Sequence, residues 1–278
     1  MKLKTKNICV YILYFSIALL IALIIYYINK IIITKKELFQ EKITYLDTKY
    51  IIDFFNKDYD NYVKNLSRYD LIARNVDSNK EYIQKIVYCA KNFTENQKDI
   101  INICCEKADD FLRKYNELLD GKQIAKIKWK FALTDKYDNY EYENGLPHTR
   151  KDIIFLSDKM IPESETPDFI NTLIHEKIHV YQRYNELIID KMLSDKLKIN
   201  KIVYTNPRKR ANPDLNNNIY KNDKNEIMQC YYNSNTPNSI QDVTCLNNNS
   251  INEHPYELLA YNIANKYNEY LMKKYINI

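Results

Sequence analysis

The sequence predicts an α+β protein, mainly helical with a small β-sheet, preceded by a single transmembrane helix. Long stretches repeat apolar residues every three or four positions, two short segments have the pattern of strands, and one uncharged apolar run lies near the amino terminus. The 278 residues suit one or two domains, and no internal repeat is visible.

Composition excludes several classes at once. Two glycines, Gly121 and Gly145, cannot build a Gly-rich phosphate loop or a dinucleotide fingerprint. The formal charge of +5 is spread thinly, without the clustering that a nucleic-acid footprint needs, so no nucleic-acid partner is expected. The 26 tyrosines accompany a Lys/Asn/Ile excess of the kind that AT-rich coding produces, so most of them carry no functional message.

The elements follow in chain order. Residues 1–7 read as a short basic tail. Ile8 to Ile28 is an uncharged run of 21 residues, which as a helix spans about 31 Å, enough for a bilayer core. Lysines flank it on both sides and Tyr11, Tyr14, Tyr26 and Tyr27 lie towards its ends, so a membrane partner is expected through residues 8–28. It is too long for a signal-peptide core and no A-x-A pattern follows it, which favours a retained single-pass anchor. The amino-terminal amine tips the nearly balanced flanking charge towards a cytoplasmic amino terminus.

Residues 29–79 read as a helical stalk with the stripe Phe39, Ile43, Leu46, Tyr50 and Phe54, and 80–278 as the main domain. Helical blocks are expected around Tyr82 to Ala90 and from Glu95 to Leu119, with Gly121 as a stop. Ile124 to Leu133 alternates like a half-buried strand, and Asp152 to Leu156 reads as a second. A helix from Asp168 to about Asn185, an Asn/Pro-punctuated region from Asn206 to Asn249, and a last helix from His254-Pro255 to about Lys274 complete the chain. Cys230 and Cys245 bracket part of the punctuated region and can staple it. No C-x-x-C occurs, which argues against a cysteine-based zinc site.

Chemistry concentrates in His175-Glu176-Lys177-Ile178-His179, an H-E-x-x-H inside a segment of helical period. The i, i+4 spacing puts both imidazoles on one helical face, where they can grip one Zn²⁺. Glu176 then projects beside the metal, where it can take a proton from a zinc-bound water. A catalytic zinc needs a third protein ligand. Glu257 in the closing helix is the expected one, since Ala260 lets that helix approach closely; Glu253 is its nearest rival, with Glu186 and Asp190 behind. A donor for a developing oxyanion is expected among His148, Tyr220, Tyr256, Tyr261 and His254, and Tyr220, between the two helices, is preferred. The run Pro207 to Arg210 can meet an acidic substrate or simply be a solvated loop.

His175, Glu176, His179 and Glu257 resemble the active-site set of the zincin metallopeptidases, gluzincin branch. The metzincin pattern is absent, because Gln182 and Asn185 stand where it needs Gly and His. With the apolar run and the composition, the chain is similar to membrane-anchored zincin-like proteins of large DNA viruses. The resemblance covers roughly residues 120–275 and implies a zincin-like fold whose edge strand, here Asp152 to Leu156, pairs with extended substrate. It also implies one catalytic zinc, a peptide or protein substrate, and Glu176 as the group that activates water. One departure is the 78-residue separation of Glu257 from His179, far longer than in thermolysin-like enzymes. The alternative is a catalytically inactive zincin-fold membrane protein that acts as a structural or binding module.

Overall fold

In the computed structural model the described residues are 16–30 and 42–276. The chain divides into two units, Met1–Ile43 and Thr44–Ile278. In the first, residues 16–30 form helix α1. No helix among the described residues is long and apolar enough to cross a membrane. The transmembrane helix expected over residues 8–28 is corrected on that ground, and with it the single-pass placement and the cytoplasmic amino terminus. Residues 8–15 of that span, and 31–41 of the expected stalk, lie outside the described residues.

The second unit is α+β, helix-rich with small sheets. What was expected as a stalk belongs to this unit from Thr44 onward. Ile43–Tyr45 is strand β1, and helix α2 (Thr48–Lys57) starts afresh, its first turn capped by the Asp47 carboxylate, which accepts from the Tyr50 N–H at 2.7 Å. The face that α2 buries is Ile51, Phe54 and Phe55, while Tyr50 is exposed. Phe54 and Phe55 pack on Phe155, with ring centroids 5.8 and 5.6 Å apart. A stripe that finds a sheet to cover becomes core.

Short helices α3 (Arg68–Ala73) and α4 (Asn79–Ile86) follow, each begun by a serine cap, then strand β2 (Ala90–Lys91). Helix α5 (Glu95–Leu112) opens on a capping box between Thr94 and Gln97. Gly121 opens helix α6 (Gly121–Lys126) instead of ending α5. A Cβ there would meet the Leu112 carbonyl oxygen at 2.1 Å, so this close return of the chain needs glycine. The expected strand is therefore split, with its second half forming β3 (Trp129–Thr134).

β3 pairs in parallel with β5 (Ile153–Ser157), and β4 (His148–Arg150) pairs antiparallel with β5, setting His148 opposite Phe155. The five-stranded sheet runs β1-β3-β5-β4, with β2 added on β3. The strand expected at the edge is thus interior, buried at every residue, and β4 is the edge.

Helix α7 (Pro167–Tyr184) begins with Pro167 at its first position and a Thr166 cap, and helix α8 (Glu186–Met192) follows. The punctuated region is not bare loop. β6 (Asn200–Ile202), β7 (Ile219–Lys221) and β8 (Ile227–Met228) make one small sheet, and β9 (Cys230–Tyr232) pairs with β10 (Val243–Cys245). Cys230 and Cys245 face each other in that register and are joined by a disulfide. Helix α9 (Pro255–Ile276) closes the chain and packs along α7, which also rests on α5.

Candidate metal centre

The i, i+4 spacing on α7 brings His175 and His179 together, and α9 delivers Glu257 to them. His175 Nε2 and His179 Nε2 are 2.9 Å apart, and Glu257 Oε2 lies 3.2 and 3.5 Å from them. These three are the group of His, Cys, Asp or Glu side chains among the described residues able to hold a metal ion. Two ligands bound tetrahedrally at 2.0–2.1 Å are about 3.3 Å apart, so the observed spacings fit one small cation.

The hydrogen-bond pattern makes the same point independently. The Gln182 amide nitrogen donates to the Tyr256 carbonyl at 3.0 Å, so its oxygen faces His179 Nδ1 at 2.8 Å and accepts from it. In the neutral ring this leaves a lone pair on His179 Nε2, directed at another imidazole and a carboxylate. Acceptors facing acceptors call for a cation. Asn212 fixes the carboxylate, its amide nitrogen donating to Glu257 Oε1 and Glu253 Oε2, both at 3.1 Å.

Burial works to raise the Glu257 carboxyl, but His179 and His175 overcome it and hold the group well below the usual carboxylate range. Burial lowers and Glu257 raises His179, with a net upward displacement. Glu176 behaves oppositely. It is 2% exposed and its Oε2 has no hydrogen-bond partner; burial first, then Asp214 and Glu257, push its carboxyl well above the usual range.

His175, Glu176 and Glu257 line a cavity of about 530 Å³, shared with His148, Asp214 and Tyr261. Tyr261 sits one helical turn beyond Glu257, its ring centroid 4.4 Å from that of His175. Its hydroxyl has no hydrogen-bond partner among the described residues, and burial, then Glu257 and Glu176, push it up to about 12. Tyr220, the preferred oxyanion donor, is not brought into this cavity: its hydroxyl donates to Asp190 at 2.7 Å. Glu186 and Asp190 are likewise elsewhere, Glu186 accepting from Asn216 and Asn218. Glu253 lines the cavity but is held by the Arg210 guanidinium, which removes that arginine as an acidic-substrate contact. Tyr256 and His254 are buried behind Tyr220, with ring centroids 6.1 and 4.8 Å from it.

His148 donates from Nδ1 to the Leu146 carbonyl at 2.9 Å, which makes Nε2 an acceptor in the neutral ring and not an oxyanion donor. The sheet edge beside it is closed at Thr149. Its N–H is taken by the Asp214 carboxylate and its carbonyl accepts from Arg183 at 3.3 Å, so an extended peptide cannot pair there without displacing both.

Asn212, Asp214 and the roles of Gln182 and Arg210 escaped the sequence reading. The i+3 spacing of Gln182 from His179 was the one available signal. No protein-family model, curated protein or solved structure matches this chain.

Proposed function

We propose that this chain is a zinc-dependent metallopeptidase that hydrolyses peptide bonds, with His175, His179 and Glu257 as metal ligands and Glu176 as general base. The observation that carries the reading is the convergence of three acceptor atoms within 3.5 Å beside a buried carboxylate with an unpartnered oxygen. Two imidazoles and one carboxylate are a catalytic zinc donor set, and when bound zinc polarises a carbonyl and acidifies water.

The protein's own groups divide the remaining work. Gln182 fixes the His179 tautomer, and Asn212 fixes the Glu257 rotamer. Glu176 takes a proton from the attacking water and passes it to the leaving amine; an upward-displaced carboxyl is a stronger base for that step. Tyr261, protonated at neutral pH, donates to the oxygen on which negative charge develops.

The test is Glu176→Gln in the full chain, with zinc content measured by elemental analysis. Zinc should stay at one per chain while kcat on a peptide mixture falls by about 10²–10⁴. A variant that keeps zinc and wild-type kcat sinks the reading. A wild-type protein that carries zinc and cleaves nothing across broad peptide libraries leaves the inactive binding module in its place.

A further inference from the structure

Five carboxylates line the cavity: Glu143, Glu176, Asp214, Glu253 and Glu257. Four have a counter-charge once the metal reading above is accepted, and this inference rests on that reading. Arg74 holds Glu143, with Nη2 to Oε2 at 2.6 Å, and Arg210 holds Glu253. The charge of a dication balances Glu176 and Glu257. Asp214 alone has no ion pair among the described residues; the nearest cation, Arg183, meets it only across the Thr149 hydroxyl that both bind.

Its environment is built. Asp214 is 9% exposed, and its Oδ1 accepts from both the N–H and, at 3.0 Å, the hydroxyl of Thr149. Pro213 stiffens the backbone before it. Oδ2 has no hydrogen-bond partner among the described residues. Arg183 approaches the same loop, but its Nη2 hydrogens go to Thr149 Oγ1 (3.0 Å), the Thr149 carbonyl (3.3 Å) and the Pro213 carbonyl (2.8 Å). No ion pair to Asp214 exists among the described residues.

A second acceptor stands next to it. His148 precedes Thr149 on the edge strand, lines the same cavity and is 3% exposed, and its Nε2 has no partner. With the Nδ1 hydrogen committed to the Leu146 carbonyl, Nε2 can only accept. Burial lowers the pKa of this ring, which keeps it neutral. A carboxylate oxygen open to the cavity and a buried imidazole lone pair, both lacking donors, match a group with several N–H donors and no acceptor. That describes an ammonium.

We propose that Asp214, with His148 beside it, is a recognition site for a cationic amine of the substrate, so that the cleft selects peptides with an ammonium close to the scissile bond. The ammonium can be the free α-amino group or a lysine side chain. The side chain of Asp214 also occupies the sheet edge at Thr149, so charge there replaces backbone pairing as the means of holding substrate.

The experiment measures binding, which does not require turnover. Zinc-loaded Glu176→Gln full chain is titrated with dansyl-labelled acetyl-pentaalanine amide, with its unacetylated form, and with five acetylated versions that carry lysine at each position in turn. At least one cationic probe should bind about 10- to 100-fold more tightly than the neutral one, as for a hydrogen bond to a charged group. In Glu176→Gln/Asp214→Asn the probes should agree within about 3-fold. Asparagine keeps the oxygen that Thr149 binds, so the loop is retained. A gain confined to the unacetylated probe identifies the α-amine; a gain at one lysine position identifies the side chain.

Equal binding of cationic and neutral probes by Glu176→Gln overturns the proposal without any use of the Asp214 variant. So does a preference that survives Asp214→Asn. Failure of the peptidase reading is seen separately: wild-type protein that leaves every probe intact while the ammonium preference holds refutes hydrolysis and supports this site.

Discussion

Helix α7 buries charged groups on two faces, and the faces answer the cost of burial differently. Away from the cavity, Lys177 Nζ meets Asp109 Oδ1 at 2.6 Å and lies 4.0 Å from the Trp129 ring centroid, while the Trp129 N–H reaches the other Asp109 oxygen at 3.4 Å. Opposite charges are matched there, and nothing further is needed. Towards the cavity, His175, His179 and Glu257 present acceptors to one another, and Glu176 Oε2 and His175 Nδ1 are left unpartnered. A buried charge costs several kcal/mol unless compensated. The face without compensation is therefore where a ligand belongs, and the matched face is what holds the helix in register for it.

The largest effect that can break this comparison is on stability. Lys177→Met strands a fully buried Asp109 carboxylate, and the expected loss is about 3–5 kcal/mol by denaturant unfolding. Burial already raises Asp109, with Lys177 opposing. Removing the lysine raises it further, so the folded variant binds a proton that the unfolded chain releases. The penalty should shrink as pH falls through the raised pKa and be greatest at neutral pH. Lys177→Met/Asp109→Leu should recover most of the loss, since both charges then go together. A single variant that costs under about 1 kcal/mol, or a double variant worse than the single, would mean that the pair does not hold α7.

Next in size is Tyr261→Phe, which acts on the cavity face alone. The hydroxyl that it removes makes no hydrogen bond among the described residues, so folding and zinc content should not change. On the reading that Tyr261 donates in the transition state, kcat should fall about 10²- to 10³-fold with KM nearly constant. A fall in zinc content instead would assign the hydroxyl to holding the metal site, since phenylalanine keeps the ring 4.4 Å from His175.

The two faces were not equally legible. His175, Glu176 and His179 are readable because their spacing and the helical period coincide within one segment, and Glu257 because the small Ala260 follows it three residues on in the closing helix. Tyr261 shares that helix four residues after Glu257, a spacing that distinguishes it from Tyr220, yet 26 tyrosines hide it. Asp109 and Lys177 are 68 residues apart, and Thr149 and Asp214 are 65 apart; no local period joins such pairs, because the sheet and the α5–α7 packing create them. The apolar stripe before Phe54 was read as a stalk for a related reason. Periodicity marks an apolar face, not what buries it, and here Phe155 covers Phe54 from a strand 101 residues on.

The smallest expected effect sharpens the comparison most, because it concerns a neutral residue that belongs to the uncompensated face. Gln182 touches no part of the cavity, and its amide joins His179 Nδ1 to the Tyr256 carbonyl of α9. That bond settles which imidazole nitrogen carries the hydrogen, and so whether Nε2 offers a lone pair to a cation. Gln182→Met keeps the volume and removes the bond, which frees the tautomer and leaves both Nδ1 and the carbonyl unsatisfied. Zinc affinity, measured by chelator competition, should weaken about 10- to 100-fold, the range found for lost partners of ligating histidines. Gln182→Glu should keep the acceptor and restore much of it, since a carboxylate also takes the Nδ1 hydrogen. If Met and Glu weaken zinc equally, packing against α9 and not the tautomer is what Gln182 supplies. Unchanged affinity in both would mean that His179 is oriented by the cation itself, and acceptors facing acceptors would then be a consequence of the site and not its preparation.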